Sequence, residues 1–449
     1  MNEIPFPYFP IQFGKDGNTV VPGNAEVLAL REHLQNAMPT DLIVISHGWN
    51  NDMAQAKDLY AELLGNAEKL IREGKPPGLK QRKFAVLGVL WPSKKFADAE
   101  LIPGNAAGTS DSIDLESLKK QIQLLRGGFD AEDADKTLEA MAALLSKLKN
   151  SDSACEKFVE LAQSLLPRGT EEADDGSALF FTVKPLKTFK NLENPISFSP
   201  PANPEQPTGG AMGLSGQPGS ALGVGDFFSG IFSAARNILN YTTYYQMKAR
   251  AGLIGSTALN PILRAIAKDL PALRIHLVGH SFGGRLVTAA VAGENAETIL
   301  TVQSMSLLQG AFSHYGFAKN WDKRNHDGYF RRVVTQGGVS GPIIITHTHH
   351  DTAVGIAYPI ASLLAGQNSA ALGDKNSEYG GMGRNGAQMT PEAIDGDMGE
   401  VGKEYRFQPG KLHNLNALNA GGDFIKEHGD VRNREVAYAV LNAIAATKT

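Results

Sequence analysis

Residues 273–284 read LRIHLVGHSFGG. An apolar stretch, Ile275 to Val278, leads into Gly279-His280-Ser281-Phe282-Gly283, followed by Gly284. A helical pattern with Leu286, Val287, Ala290 and Val291 leads out. The core of the motif is Gly-x-Ser-x-Gly, which in this context sets a serine on a sharp strand-to-helix turn. Side chains at 279 and 283 would collide where strand and helix meet. The turn lifts the serine hydroxyl above the sheet edge, and an amide at the helix start faces the developing oxyanion. Ser281 is therefore the candidate nucleophile. A Gly-rich turn without chemistry is the competing reading.

The sequence on either side repeats the alternation. Upstream, DLIVISHG (41–48) and KFAVLGVLWPS (83–93) are short runs suited to strands buried on both faces of a parallel sheet. Helical spacing covers 24–38, with Asn24 as expected N-cap, and 51–72. Downstream, strands are expected at 301–309, at 342–348 and near 405–411. Val436, Val440 and Ile444 mark a last helix. Such alternation predicts a doubly wound α/β domain with a mostly parallel sheet. The pattern breaks after residue 96. Residues 97–167 carry helical stripes (Leu118, Ile122, Leu125; then Leu138, Met141, Leu145, Leu148). Residues 168–225 are rich in Pro, Gly and Ser, a loop or linker composition. The expected organisation is a core of 1–96 and 241–449 with a large helical and loop insertion at 97–240.

Three short motifs fall at strand ends in order: His47-Gly48-Trp49-Asn50, Trp91-Pro92-Ser93 and His280-Ser281-Phe282-Gly283. In these the chain resembles the α/β-hydrolase superfamily, and within it a bacterial esterase/lipase-like branch. The resemblance covers roughly 24–95 and 273–449 and leaves out the insertion. It implies the α/β-hydrolase fold, an oxyanion hole from the backbone amides of Trp49 and Phe282, and catalytic residues in the order serine, acid, histidine. A serine needs such a base, oriented by a carboxylate, to attack. Asp351 follows the strand-like PIIITHT and is the favoured acid, with Asp327 and Asp374 as weaker alternatives. His428, in KEHGDVRNREV, is the favoured base, with Asp430 set to cap the next helix; His413 is its rival. His47, His280 and His350 are candidate pocket residues. Insertions in this superfamily commonly form lids or caps. Here Phe227, Phe228, Ile231 and Phe232 offer an apolar surface for an acyl pocket or for peripheral contact with lipid. The glycine-rich loop at 379–389 is a second segment expected to close over the site.

Composition bounds the alternatives. The 449 residues are 42% apolar and 20% charged, with a net charge of −4 and no dense basic stripe, so nucleic acid is not an expected partner. Cys155 stands alone, which rules out an internal disulfide. The N-terminus lacks the basic start and apolar stretch of a secretory signal, and no window has the length of a membrane span, so a cytoplasmic location is expected. The run His347-Thr348-His349-His350-Asp351 also resembles the metal-binding motif of metallo-β-lactamase-type hydrolases. That family's last histidine is Thr352 here, the motif comes late, and Ser281 would be left without a role. A non-catalytic binding protein is the third reading. The first expectation is a serine esterase or lipase-like enzyme. It would act on a small-molecule or lipid-like ester through an acyl-enzyme, with no metal or cofactor.

Overall fold

The computed structural model describes residues 3–49, 51–93, 115–169, 171–193, 230–351, 377 and 379–447. The chain divides into two compact units, one of Met1–Lys94, Met247–Gly355 and Gly380–Thr449, the other of Lys95–Gln246 and Ile356–Tyr379.

The first unit is built on a sheet. Its strands are β1 (Tyr8–Gln12), β2 (Asp41–Ser46), β3 (Phe84–Leu90), β4 (Arg274–His280), β5 (Ser304–Leu308), β6 (Ile343–His347), β7 (Ala393–Asp397) and β8 (Leu412–Asn416). They lie in the order β1-β3-β2-β4-β5-β6-β8-β7, and every neighbouring pair is parallel. Strands β2 and β3 are buried at every residue, as expected for central parallel strands whose two faces are both covered. From β2 the chain steps to β3 on one side. It then returns to β4 on the other side and continues outward through β5 and β6. The direction of winding thus reverses between β2 and β4. In open α/β sheets the crevice at the carboxyl ends of two such strands is where ligands bind.

Helices α1 (Ala25–Ala37) and α2 (Met53–Glu73) fill the early connections. Asp52 begins α2 with a capping box shared with Gln55, and Gly74 ends it in the left-handed region. The second unit holds α3 (Leu115–Leu124), α4 (Ala134–Leu144), α5 (Asp152–Ser164), the short α6 (Leu179–Thr182) and α7 (Pro185–Asn191), and most of α8 (Ile231–Leu253). Its stripe residues Leu118, Ile122, Leu125, Leu138, Met141, Leu145 and Leu148 are all buried, as their helical spacing requires. Cys155 is buried among them, its thiol bonded to the carbonyl of Leu148 at 3.3 Å. Of the Pro/Gly/Ser-rich segment, 168–169 and 171–193 are described, and the latter stretch forms α6 and α7. Phe227 and Phe228 lie outside the described residues. Back in the first unit come α9 (Asn260–Asp269), α10 (Phe282–Ala292), α11 (Arg331–Thr335), α12 (Met382–Asn385) and α13 (Arg434–Ala445). Helices α2 and α13 share one layer of the core: Tyr60, Leu63 and Leu70 meet Val436, Val440 and Ile444 over Ile43, Val86, Val278 and Ile344. Helix α10 packs on β4 and is buried along its whole length. No helix among the described residues is long and apolar enough to cross a membrane.

The amino end of the sheet carries a buried charge. Asp41 opens β2 directly beside Arg274, which opens β4. It is fully buried and accepts bonds from Arg274 Nε (2.8 Å) and Nη2 (3.0 Å), from Thr40 Oγ1 (2.5 Å) and from His276 Nε2 (2.9 Å). Arg82 adds an ion pair at 3.1 Å. Burial alone would favour the neutral acid. The donors from His276, Arg274 and Thr40 outweigh it and hold the carboxyl well below its usual range.

Four details differ from the sequence reading. Strand β1 is unexpected: Pro10 argues against a strand, but β1 lies at the sheet edge and pairs only with β3, which an edge proline tolerates. The strand expected near 405–411 lies at Leu412–Asn416, after the Pro409-Gly410 turn. Asn24 sits at φ 54° with no capping bond, its Oδ1 accepting instead from Thr19 at 2.6 Å. The cap of α13 is Asn433, accepting from Val436 N at 2.9 Å, and not Asp430.

Candidate functional site

Ser281 stands between β4 and α10 with φ 57° and ψ −125°. That conformation is nearly restricted to glycine and costs on the order of 1–3 kcal/mol, so the surroundings must impose it. They do so through the backbone. Ser281 N donates to Leu308 O at 3.0 Å, and the Ser281 carbonyl accepts from Ala311 N and Gly284 N, both at 3.0 Å. The two motif glycines allow the approach. A Cβ on Gly279 would stand 2.4 Å from Gly283 O, and one on Gly283 would stand 2.2 Å from Ser46 O. Phe282 opens α10, so its amide belongs to the first turn, which an α-helix leaves to other acceptors.

The loop after β2 lies against the serine. A Cβ on Gly48 would fall 2.5 Å from Ser281 Cβ and 3.0 Å from its Oγ. The Trp49 ring sits 6.2 Å from that of Phe282. A Gly48→Ala chain is therefore expected to push the loop or the serine aside. Displacements near 1 Å at such a site cost about 10²-fold in rate. For a reaction at Ser281, comparison of kcat with that of the parent, on folded protein, checks this; an unchanged kcat would mean the loop can yield without consequence.

His47 has a task other than lining a pocket. It is fully buried. Its Nδ1–H donates to Gly48 O at 2.9 Å, and its Nε2 accepts from Trp91 N at 3.3 Å. The Trp91 ring stacks on it at 5.6 Å and returns a bond from Nε1 to His47 O at 3.0 Å. Ser93 Oγ donates to the carbonyl of Asn51 at 3.0 Å. The His47-Gly48-Trp49 and Trp91-Pro92-Ser93 motifs are thus two sides of one clamp that fixes the loop beside the serine. Burial pushes the His47 pKa down to about 4, so the ring is neutral, as this bonding needs.

Asp351 follows β6, fully buried in a turn closed by its N–H on Thr348 O at 3.0 Å. The Arg384 guanidinium holds that turn through the carbonyls of His349 and Asp351. Asp351 Oδ2 accepts from His428 Nδ1 at 2.8 Å and from Gln309 Nε2 at 2.9 Å. Since a carboxylate only accepts, His428 carries its proton on Nδ1, which leaves the Nε2 lone pair as a base. His428 lies in the loop before α13. Asp430 closes that loop by accepting from Lys426 N at 3.1 Å. The loop is tied to the Ser281 turn by His280, the residue before Ser281. Its Nε2–H donates to the His428 carbonyl at 2.9 Å, and the two rings are 4.9 Å apart. Burial, with the neighbouring His428 second, pushes the His280 pKa down to about 3. His280 is therefore a neutral tie.

His350 is exposed and His349 partly so. His413 is in β8 and accepts from Gln408 N at 2.9 Å. Asp327 is exposed and accepts from Asn320 N at 2.9 Å. Asn50 and Asp374 lie outside the described residues. Among the described residues, the His347–Asp351 run does not gather three ligand atoms in one place. One group does, the carboxylates of Glu172, Asp174 and Asp175, within 4.8 Å of one another in the second unit. Sequence reasoning missed Gln309 and Arg384. A polar residue ending an apolar strand (SMSLLQG, 304–310) was the available signal for the first.

No family model matches the chain, and no curated protein and no solved structure matches it.

Proposed function

We propose that this chain is a serine hydrolase of the α/β-hydrolase type that cleaves carboxylic esters through an acyl-enzyme on Ser281. The observation that carries the reading is the 2.8 Å bond between Asp351 Oδ2 and His428 Nδ1, tied by His280 to the strained turn of Ser281. The positions agree with it. Serine, acid and base come in that order, after β4, β6 and β8. The serine and the Gly48 loop lie at the carboxyl ends of β4 and β2, where the winding reverses.

In this mechanism His428 Nε2 takes the Ser281 hydroxyl proton as Oγ attacks the ester carbonyl. Asp351 keeps the imidazole in the Nδ1–H tautomer and stabilises the imidazolium that forms. The Phe282 and Trp49 amides receive the oxyanion. Collapse of the tetrahedral species expels the alcohol, which takes the proton from His428. Water then repeats the cycle on the acyl-enzyme and releases the acid. The buried histidines stay neutral, so no second positive charge competes for the oxyanion.

A fluorophosphonate probe tests the reading. It is expected to label the wild-type chain at Ser281 and to leave Ser281→Ala unlabelled. Hydrolysis of nitrophenyl esters should disappear with the label. Labelling at another residue, or none in a folded wild-type chain, would overturn the reading.

A further inference from the structure

Gln309 follows β5 at φ 48°, a left-handed position unusual for a side-chain-bearing residue, and it is fully buried. All of its amide is engaged. Nε2 donates to Asp351 Oδ2 and to Gly383 O, each at 2.9 Å. Oε1 accepts from Thr346 Oγ1 at 3.0 Å, and Thr346 Oγ1 accepts in turn from Gln309 N at 3.1 Å. The orientation of the amide follows from this bonding. With the amide reversed, Oε1 would face two acceptors, the carboxylate and the Gly383 carbonyl, and Nε2–H would crowd the threonine hydroxyl.

We propose that Gln309 is a positioning residue of the triad, aligning the Asp351 carboxylate so that Oδ2 meets His428 Nδ1. The proposal rests on the triad reading above. The carboxylate oxygen that orients the base receives one donor from the base and a second, uncharged donor from Gln309. The second bond restricts rotation of the carboxylate and keeps Oδ2 turned to the imidazole. It does so without a cation, which would draw the negative charge away from the imidazolium formed in the reaction. Thr346 and Gly383 hold the amide from β6 and α12. The acid is thereby indexed to three separate parts of the chain.

Two variants and two readouts test this. Gln309→Leu removes the donor. Gln309→Glu keeps the shape, but donates to Oδ2 only while it is protonated; once ionised, it sets two carboxylates against each other. The readouts are the rate of fluorophosphonate labelling of Ser281 across pH, and the titration of His428 followed by NMR in chain labelled at histidine. Gln309→Leu is expected to slow labelling by about tenfold or more with its melting transition retained. Gln309→Glu is expected to move the rise of labelling with pH to higher pH, in step with a His428 midpoint raised by about one pH unit. The proposal is overturned if Gln309→Leu, which adds no charge, leaves both the labelling rate and the His428 midpoint as in the wild type. If the wild type takes no label while the His428 midpoint still moves in Gln309→Leu, the alignment stands and the hydrolase reading falls.

Discussion

If Ser281 hydrolyses esters as proposed, Asp351→Asn is expected to lower kcat on a nitrophenyl ester by about four orders of magnitude while leaving the chain folded. The size follows from loss of the charge and of tautomer control. The wild-type carboxylate accepts from His428 Nδ1 at 2.8 Å and from Gln309 Nε2 at 2.9 Å through the same oxygen. An amide oxygen in that place accepts both bonds but lacks the charge that stabilises the imidazolium. With the amide turned, its NH₂ faces Gln309 Nε2, a second donor, and His428 Nδ1, which must then give up its proton. The hydrogen moves to Nε2, the nitrogen that would have served as base. The substitution preserves volume in a fully buried turn, so the loss should appear in kcat with the melting temperature little changed. Turnover near the wild-type rate in a folded Asp351→Asn chain would place the acid elsewhere.

Asp41→Ala should be strongly destabilising. Removing one partner from a buried charge network typically costs about 3–5 kcal/mol, because the partners left behind stay buried without compensation. Here Arg274, Arg82 and His276 would all lose the same carboxylate. Against a total stability on the order of 5–15 kcal/mol, this is a large fraction. The pH dependence has a definite sign. The folded pKa of Asp41 is depressed, so its stabilisation is present above the unfolded value, about 3.9. It is lost as pH falls through the folded value. His276 is held below its usual pKa by burial, against the pull of Asp41. The unfolded chain therefore takes up a proton below about pH 6.5 that the folded chain resists, and stability falls from there downward. Urea midpoints between pH 4 and 8 are the measurement. A loss below about 1 kcal/mol in Asp41→Ala, the range of an exposed pair, would show that the network contributes little.

Periodicity and punctuation made most of the sheet legible. The central strands β2, β3 and β4 carry apolar runs because both faces are covered, and each ends at a glycine- or proline-bearing motif. What sequence could not reveal depended on tertiary partners. Strand β1 exists because β3 offers an open edge on the side that Pro10 tolerates, which no local pattern records. The His428 loop was readable as a histidine before a capped helix, yet the cap is Asn433, since Asp430 is occupied with Lys426 N. His47 was readable as a histidine at a strand end. Its bonds to Gly48 O and Trp91 N, which make it a clamp, join residues 44 apart in the case of Trp91. Gln309 was the hardest to see, because its role is defined by Asp351, Gly383 and Thr346, none of them its neighbour in sequence.

The register of β2 against β4 also sets a timetable for synthesis. Arg274 follows its partner Asp41 by 233 residues. At ribosomal rates of about 5–20 residues per second, roughly 10–50 s pass between the making of one and the making of the other. Through that interval β2 can pair with β3, but the edge that β4 will occupy stays vacant, and the Asp41 carboxylate has no Arg274 to meet. The nascent N-terminal segment is therefore the stretch of this chain most dependent on protection while it is being made.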